Sequence, residues 1–295
     1  MDPAYNLERT VGCGQCFRWM VGPEGARGVV EGTVVRVRQR AGRLTVVWEG
    51  PRGARHRLLR HLGADQPLSV IEAALAQDRV LRRLLSATSG IAIMRQDPWE
   101  CLVSYIVSAC NNIPKIRMSV RHLARHFGDP IPIRGPLRGS AVGPGRGSTV
   151  PAECARDDAW TFPVPQRLAE ARLGRLRGCL LGYRAEYVRS VARRVADGVV
   201  DLQAVARLPF EAARAALLEL PGVGEKVAEC VLLFAFGRYE AFPVDVWVQR
   251  AVERWYFGGR TQTREAIRAW ARDRFGSLAG YAQQHLFAGS RLRVG

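Results

Sequence analysis

The sequence predicts an α+β chain, an antiparallel sheet followed by a mostly helical region, and three observations carry that prediction. Val29 to Arg40 and Leu44 to Trp48 alternate apolar and polar residues around a turn signal at Ala41-Gly42, the period of half-buried strands. From Leu68 onward apolar residues recur at helical spacing instead. A Gly/Pro stretch, Leu220-Pro221-Gly222-Val223-Gly224, sits between two helical patterns. A chain of 295 residues can bury a good core in one large domain or two smaller ones. The division is drawn as a sheet domain over 1–78 and a helical domain over 79–295.

Taken in order, residues 1 to about 65 read as sheet. Helical periodicity runs from Leu68 to Ser86. A strong helix start follows, with Asp97 as N-cap, Pro98 in the first position and Glu100 three residues after the cap; this helix should reach about Ala109. A short polar turn, Cys110-Asn111-Asn112-Ile113, leads into a helix from Pro114 to Phe127. Residues 128–158 are dense in Gly, Pro and Arg and cannot bury enough apolar surface to offset the entropy of ordering, so a flexible insertion is expected. A linker is the favoured reading of this stretch, with contact between its cations and DNA phosphates the alternative. Helices resume over Pro165 to Leu181, continue after Gly182-Tyr183-Arg184, and again over Phe210 to Glu219 and Lys226 to Phe236. The remaining helices cover Val246 to Trp255, Thr263 to Phe275 and a last segment with Tyr281 to Phe287.

The charge balance narrows the partner. A net charge of +17 and a pI near 10.7 suit a polyanion such as nucleic acid. Seven scattered cysteines give no disulfide framework. Cys13-x-x-Cys16 lacks a second pair at zinc spacing, and no four-cysteine cluster follows the hairpin, so neither a metal nor any other cofactor is expected. His122 and His126 share a helix face without the carboxylate of a zinc protease motif. The N-terminus lacks the basic start and apolar core of a signal peptide, and no apolar run is long enough to span a bilayer. The expectation is an intracellular monomer, in the cytoplasm or nucleoid if the source is bacterial.

Pro221 and the two glycines make the 220–224 stretch a tight helical hairpin. Free N–H groups at the start of its second helix suit a phosphate, since donors and dipole both favour an anion. Of 44 lysines and arginines only Lys115 and Lys226 are lysines. Arg cannot lose its proton in a protein, whereas Lys can become a nucleophilic amine. Asp245, in Phe242-Pro243-Val244-Asp245-Val246, would cap the helix it precedes. Taken singly, a lysine at a helix start is usually a solvated charge, and a capping aspartate usually structural.

Together, L-P-G-V-G-x-K, an apolar helix and P-V-D-V resemble the helix-hairpin-helix DNA glycosylases with the Gly/Pro-rich loop and catalytic Asp. In that superfamily a Lys here marks members that also cleave the strand. Gly14-Gln15-Cys16-Phe17-Arg18-Trp19 is similar to the G-Q-x-F-R-W opening of the 8-oxoguanine glycosylases, and R-Q-D-P-x-E-C followed by an Asn-rich turn extends the likeness. The resemblance implies an N-terminal antiparallel sheet domain (TBP-like) ahead of the helical glycosylase domain. It implies removal of 8-oxoguanine from duplex DNA through a lysine Schiff base, with β-elimination at the abasic site.

The same resemblance implies roles. Tyr183 looks like the wedge beside the estranged base, and Arg184 like a partner for the orphaned cytosine. The Gly14 carbonyl resembles the acceptor for the extra ring N–H of oxidised guanine, where normal guanine presents a repelling lone pair. Cys230 and Phe287 look like the two faces of a sandwich around the base, and Gln283 like the reader of its pairing edge. Gly222, Val223 and Gly224 would hold the DNA backbone. Lys226 would attack the sugar, and Asp245 would steady the positive charge that develops there. Core packing is the plain alternative for Tyr183, Cys230 and Phe287, and a phosphate contact for Arg184. Three departures stand out: Cys110 where an Asn usually precedes Asn111 and Asn112, Lys115 where an Arg commonly contacts the same cytosine, and Trp247 after the Asp, as in the bacterial branch. Two other readings compete. One is an alkylated-base glycosylase of the same fold; the other is a non-catalytic DNA-binding module.

Overall fold

The computed structural model describes residues 1–133 and 159–292. Four strands form an antiparallel meander, β1 (Trp19–Gly22), β2 (Gly25–Val30), β3 (Thr33–Arg40) and β4 (Arg43–Trp48), in the order β1-β2-β3-β4. The continuous strand expected over Val29 to Arg40 is in fact two strands. A two-residue turn at Glu31-Gly32 divides them, with φ of 49° and 72°. The second hairpin, at Ala41-Gly42, repeats the geometry at 46° and 72°. Two consecutive positive φ values match the right-handed twist of the flanking strands, which makes such turns the favoured hairpin connections.

Residues 1 to 65 are not all sheet, either. A short helix, Leu7–Gly12, precedes the strands and another, Arg55–His61, follows them. Ala26, Val35, Val37 and Leu44 face the main core, while Val29 and Val34 pack with Ile131 and Ala159 on the opposite side. Ile131 and Ala159 belong to a short antiparallel bridge at Pro130 and Trp160, in which Ile131 N donates to Ala159 O (2.8 Å) and Thr161 N to Asp129 O (2.8 Å). The expected insertion therefore begins later than residue 128, because 128–133 is ordered by this pairing. The rest of it, 134–158, lies outside the described residues.

Two further expected helices are each divided. Leu68–Leu75 and Arg79–Thr88 are separated by Asp78, whose Oδ1 accepts from Val80 N (2.9 Å) and Leu81 N (3.0 Å) as the cap of the second helix. Pro165 to Leu181 contains Pro165–Glu170, Leu173–Leu176 and a wide turn over Arg177–Leu181. Extended backbone at Ala171 stops the first segment, and left-handed backbone at Leu180 stops the last.

At the centre lie Pro98–Val107 and Glu225–Phe234. Every residue from Cys101 to Val107 and from Val227 to Phe234 is buried, so both helices are covered all round by their neighbours. Asp97 starts the first as expected, its Oδ1 accepting from Glu100 N (2.9 Å), but the box is not reciprocal. Glu100 instead meets Arg18 at 3.2 Å, joining this helix to the segment before β1. Around the pair run Ile113–Phe127, Arg184–Ala196, Leu202–Arg207, Phe210–Leu218, Val246–Tyr256, Arg264–Phe275 and Ala279–Arg291. Among the described residues no helix is long and apolar enough to cross a membrane.

Candidate active site

The hairpin forms as the sequence predicts. Phe210–Leu218 ends, Val223 N donates to Leu220 O (3.0 Å), and the second helix starts at Glu225 with Gly224 as its cap. No side chain caps Gly224, and a Cβ there would meet nothing within 4 Å, so the helix N-terminus stays open to an anion. Gly222 has φ 78°, and an added Cβ would lie 2.6–2.7 Å from the Tyr187 ring. Backbone conformation and close approach thus both require glycine there. Arg214 fixes the hairpin's two helices together through a forked contact with Glu225 (2.7–3.0 Å).

Lys226, in the first turn of that helix, is half-buried and points at the end of the central helix. Its Nζ donates to Ser108 Oγ (2.8 Å) and lies 4.7 Å above the Tyr105 ring. Ser108 Oγ in turn donates to Tyr105 O (2.6 Å). One turn further on, Cys230 is 2% exposed, and burial pushes its thiol up to about 12; the Lys226 ammonium opposes that rise and the Asp245 carboxylate adds to it. Lys226, Cys230 and Asp245 therefore act electrostatically on one small volume. Asp245 caps Val246–Tyr256, its Oδ1 accepting from Val248 N (2.8 Å). Among the described residues no ion pair joins Lys226 to a carboxylate.

Glu229 holds these two segments in register. It is fully buried, and its Oε2 accepts from Phe242 N (2.6 Å) in the loop that carries Asp245. Burial raises its pKa, partly offset by that bond and by the guanidinium groups of Arg272, Arg268 and Arg214. Its Oε1 has no hydrogen-bond partner and lies 3.8 Å from both Arg214 and Arg272.

The other side of the volume comes from the two ends of the chain. Gly14 has φ 96°, and a Cβ there would sit 2.7 Å from Ile113 Cδ1 and 3.5 Å from Phe287 Cε1. Gln15 pins this loop. Its amide nitrogen donates to Thr10 O (2.9 Å) and Ala92 O (2.8 Å), its amide oxygen accepts from Met94 N (2.8 Å), and its backbone carbonyl accepts from Tyr105 Oη (3.0 Å) and Gln96 Nε2 (2.7 Å). Cys13 Sγ approaches Gln284 Oε1 (3.5 Å), tying the loop to the last helix. On that helix Gln283 is buried, donating to Pro243 O (3.2 Å) and accepting from Gln284 Nε2 (3.1 Å), while Phe287 is half-buried beneath Arg291. Lys226 and Asp245 thus both act on Cys230, Gly14 lies beside Phe287, and Gln283 reaches the loop that carries Asp245 through Pro243 O.

The turn at Tyr183 forms the rim. Tyr183 is 54% exposed and meets Tyr187 edge to face at 6.1 Å, which connects it to Gly222 of the hairpin. Arg184, expected to offer hydrogen bonds outward, instead turns inward. It is 7% exposed, donates from Nε to Ala109 O (2.7 Å) and from Nη2 to Cys110 O (3.0 Å), and stacks on Tyr183. The reason is that the turn after Pro98–Val107 presents the carbonyls of Ala109 and Cys110, which a guanidinium fork can satisfy. Asn111 is likewise engaged, donating to Val107 O (3.1 Å) and accepting from Asn112 N (3.0 Å). Asn112 caps Ile113–Phe127 through Lys115 N (3.0 Å). Cys110 and Lys115 are exposed, and Cys110 adopts φ 49°, a region where Asn sits more easily than most residues.

Ser108, Glu229 and the full extent of Gln15's bonding are absent from the sequence reading. No local pattern signals them, since each acts on a partner far along the chain. Among the described residues no cluster of three or more His, Cys, Asp or Glu has a metal-site arrangement.

Residues 2–102 match the family description "8-oxoguanine DNA glycosylase, N-terminal domain", and residues 140–275 match "HhH-GPD superfamily base excision DNA repair protein". The chain is 32% identical to a "Probable N-glycosylase/DNA lyase" of Methanothermobacter thermautotrophicus over 73% of this chain and 68% of that one. The fold is similar to that of MBOgg1 in complex with a low-affinity DNA ligand, at TM-score 0.88 and 33% identity over 99% of this chain and 94% of that one. It is also similar to the Clostridium acetobutylicum 8-oxoguanine glycosylase/lyase in complex with double-stranded DNA containing cytosine opposite 8-oxoG. There the TM-score is 0.86 and the identity 28%, over 98% of this chain and 92% of that one.

Proposed function

The chain belongs to the HhH-GPD superfamily of base excision DNA repair proteins, in the branch with the 8-oxoguanine glycosylase N-terminal domain, and from that membership we propose which of its residues carry the reaction. It is a bifunctional glycosylase that removes 8-oxoguanine from duplex DNA and cleaves the strand at the abasic site. The observation that supports the residue assignment is that Lys226 and Asp245 both act on the buried Cys230, while Lys226 lies over Tyr105, whose hydroxyl donates to Gln15 O next to Gly14.

A base inside a duplex is out of reach, so the nucleotide must turn out into this space. Tyr183 wedges in beside the estranged base. The base stacks between Cys230 and Phe287, with the Gly14 carbonyl and Gln283 on its edges. The neutral amine of Lys226 attacks C1′ as the C1′–N9 bond breaks, and the base leaves with the bonding pair and takes up a proton. Asp245 steadies the cationic sugar between these events. Ring opening gives an imine between Lys226 and C1′, which acidifies C2′–H. Loss of that proton expels the 3′ phosphate, and water then releases the enzyme from the imine. Ser108 orients the amine before DNA arrives, and Glu229 keeps the lysine helix and the aspartate loop at a fixed spacing. On this reading the protein works as a monomer inside the cell, in the cytoplasm or nucleoid if the source is bacterial.

An alkylated-base glycosylase would need no lysine at this position, and a non-catalytic module would need neither Asp245 nor a pocket. Duplexes carrying 8-oxoguanine or an alkylated adenine, incubated under single-turnover conditions, separate the three. Base release with strand cleavage from the first substrate alone is expected. Release of the alkylated base without strand cleavage would overturn the assignment, and binding without release of either would leave only a DNA-binding module.

A further inference from the structure

We infer that Leu180 is a second apolar probe of the base stack, set three residues before the Tyr183 wedge and acting on the step next to the extruded nucleotide. The inference rests on the reading of the Tyr183 turn as DNA-facing. Leu180 has φ 62° and ψ 25°, left-handed backbone that a bulky side chain resists. Such outliers persist only where the surroundings enforce them, and they gather at functional sites. The surroundings here are plain. Cys179 and Leu181, on either side, are fully buried anchors, while Leu180 between them is 36% exposed. Its carbonyl accepts from Ser119 Oγ (3.3 Å), and the next carbonyl, of Leu181, accepts from Arg184 Nη1 (3.3 Å).

The left-handed turn therefore directs an apolar side chain outward from a backbone held at both flanking points. The local space is open as well: a Cβ added at Gly178 or Gly182 would meet nothing within 4 Å. A large partner can thus approach the turn closely. Part of this leucine stays uncovered in the folded chain despite the strain of its backbone. A duplex offers a matching partner, because apolar side chains entering from the minor groove part adjacent base pairs and kink the helix. The net charge of +17 and the continuity of this turn with Tyr187 and the open hairpin fit the same partner.

Leu180→Gly provides a test in which the two readouts move in opposite directions. Glycine relieves the strained backbone, so melting temperature should hold or rise by about 1–3 °C. Single-turnover excision of 8-oxoguanine from duplex should nonetheless fall roughly tenfold. The fluorescence rise of a 2-aminopurine beside the lesion, which reports unstacking, should be lost. Leu180→Asn, which also tolerates this backbone, should behave the same way and covers the case in which the glycine variant folds poorly. Wild-type excision and an intact 2-aminopurine signal in a folded variant would overturn the proposal. Tyr183→Ala run alongside tells two failures apart. If it lowers excision while Leu180→Gly does not, Leu180 alone is wrongly assigned; if neither matters, the turn does not face DNA at all.

Discussion

Replacing Asp245 by Asn separates its two roles, because the structure assigns the cap to one carboxylate oxygen. Oδ1 accepts from Val248 N at 2.8 Å. An Asn side-chain oxygen can take over that bond, and Asn caps helices about as well as Asp. The remaining structural loss is the interaction of the charge with the helix dipole, about 0.3–1 kcal/mol. For a protein of this size that lowers the melting temperature by roughly 1–3 °C. The chemical loss is far larger. A unit charge pair about 4 Å apart in an effective dielectric near 20 interacts by roughly 4 kcal/mol. A sugar carrying half or more of a unit charge at the transition state therefore loses about 2–4 kcal/mol, a factor of roughly 30–1,000 in excision rate. Single-turnover excision of 8-oxoguanine from duplex, with thermal melts on the same preparations, measures both. A fall of less than about fivefold, or one that only tracks the loss of folded protein, would make Asp245 a cap and nothing more.

Three other outcomes follow from the geometry. Cys110→Asn places a residue tolerant of left-handed backbone at φ 49° and restores an amide beside Arg184, so the melting temperature should rise by about 1–3 °C. The preference for cytosine opposite the lesion should sharpen by roughly 1–3 kcal/mol in excision assays against all four opposite bases; a strict preference already present in the wild type and left unchanged would remove Cys110 from the contact. Gly222→Ala forces a Cβ to within 2.7 Å of Tyr187 at φ 78°, so we expect a destabilisation of about 2 kcal/mol or more and weaker binding to undamaged duplex; unchanged melting and binding would contradict the close packing of hairpin on Tyr187. Finally, burial holds His285 down to about 4, against an ordinary histidine value near 6.5. Its Nδ1 faces Thr88 Oγ1 at 2.8 Å, and the Thr88 proton already serves Leu84 O, so Nδ1 is the donor and the ring is neutral with its proton there. The unfolded chain binds the extra proton first, so its stabilisation is complete above about pH 6.5 and is lost as pH falls toward 4, a contribution of order 3 kcal/mol. Melts at pH 7, 6 and 5 should show a slope that flattens in His285→Gln; identical slopes would place the titration elsewhere.

The parts legible in the sequence were those written locally. Asp97 and Asp245 cap helices that their own neighbours encode, and the hairpin's Pro and Gly residues force its turn wherever it sits. The Glu31-Gly32 turn was hidden because apolar alternation continues through it, so Val29 to Arg40 reads as one strand. Asp78 went unread for the same reason: helical spacing persists on both sides of the cap. What lies between distant segments was not legible at all. Ser108 meets Lys226 across 118 residues, and Glu229 reaches a backbone N–H in another loop. The inward turn of Arg184 depends on carbonyls 75 positions earlier. Resemblance supplied the roles of Gly14, Cys230, Gln283 and Phe287; that Gly14 lies beside Phe287, 273 positions later, is a matter of packing alone.

The central claim is that Lys226 is the nucleophile, and this chain is well suited to a direct test because Lys115 is its only other lysine. Wild-type protein incubated with an 8-oxoguanine duplex and borohydride should yield one covalent adduct, and peptide mapping should place it on Lys226. Lys226→Gln should bind the duplex with little change yet trap nothing and release no base. An adduct on Lys115 or on the N-terminal amine, or trapping that survives in Lys226→Gln, would contradict the account.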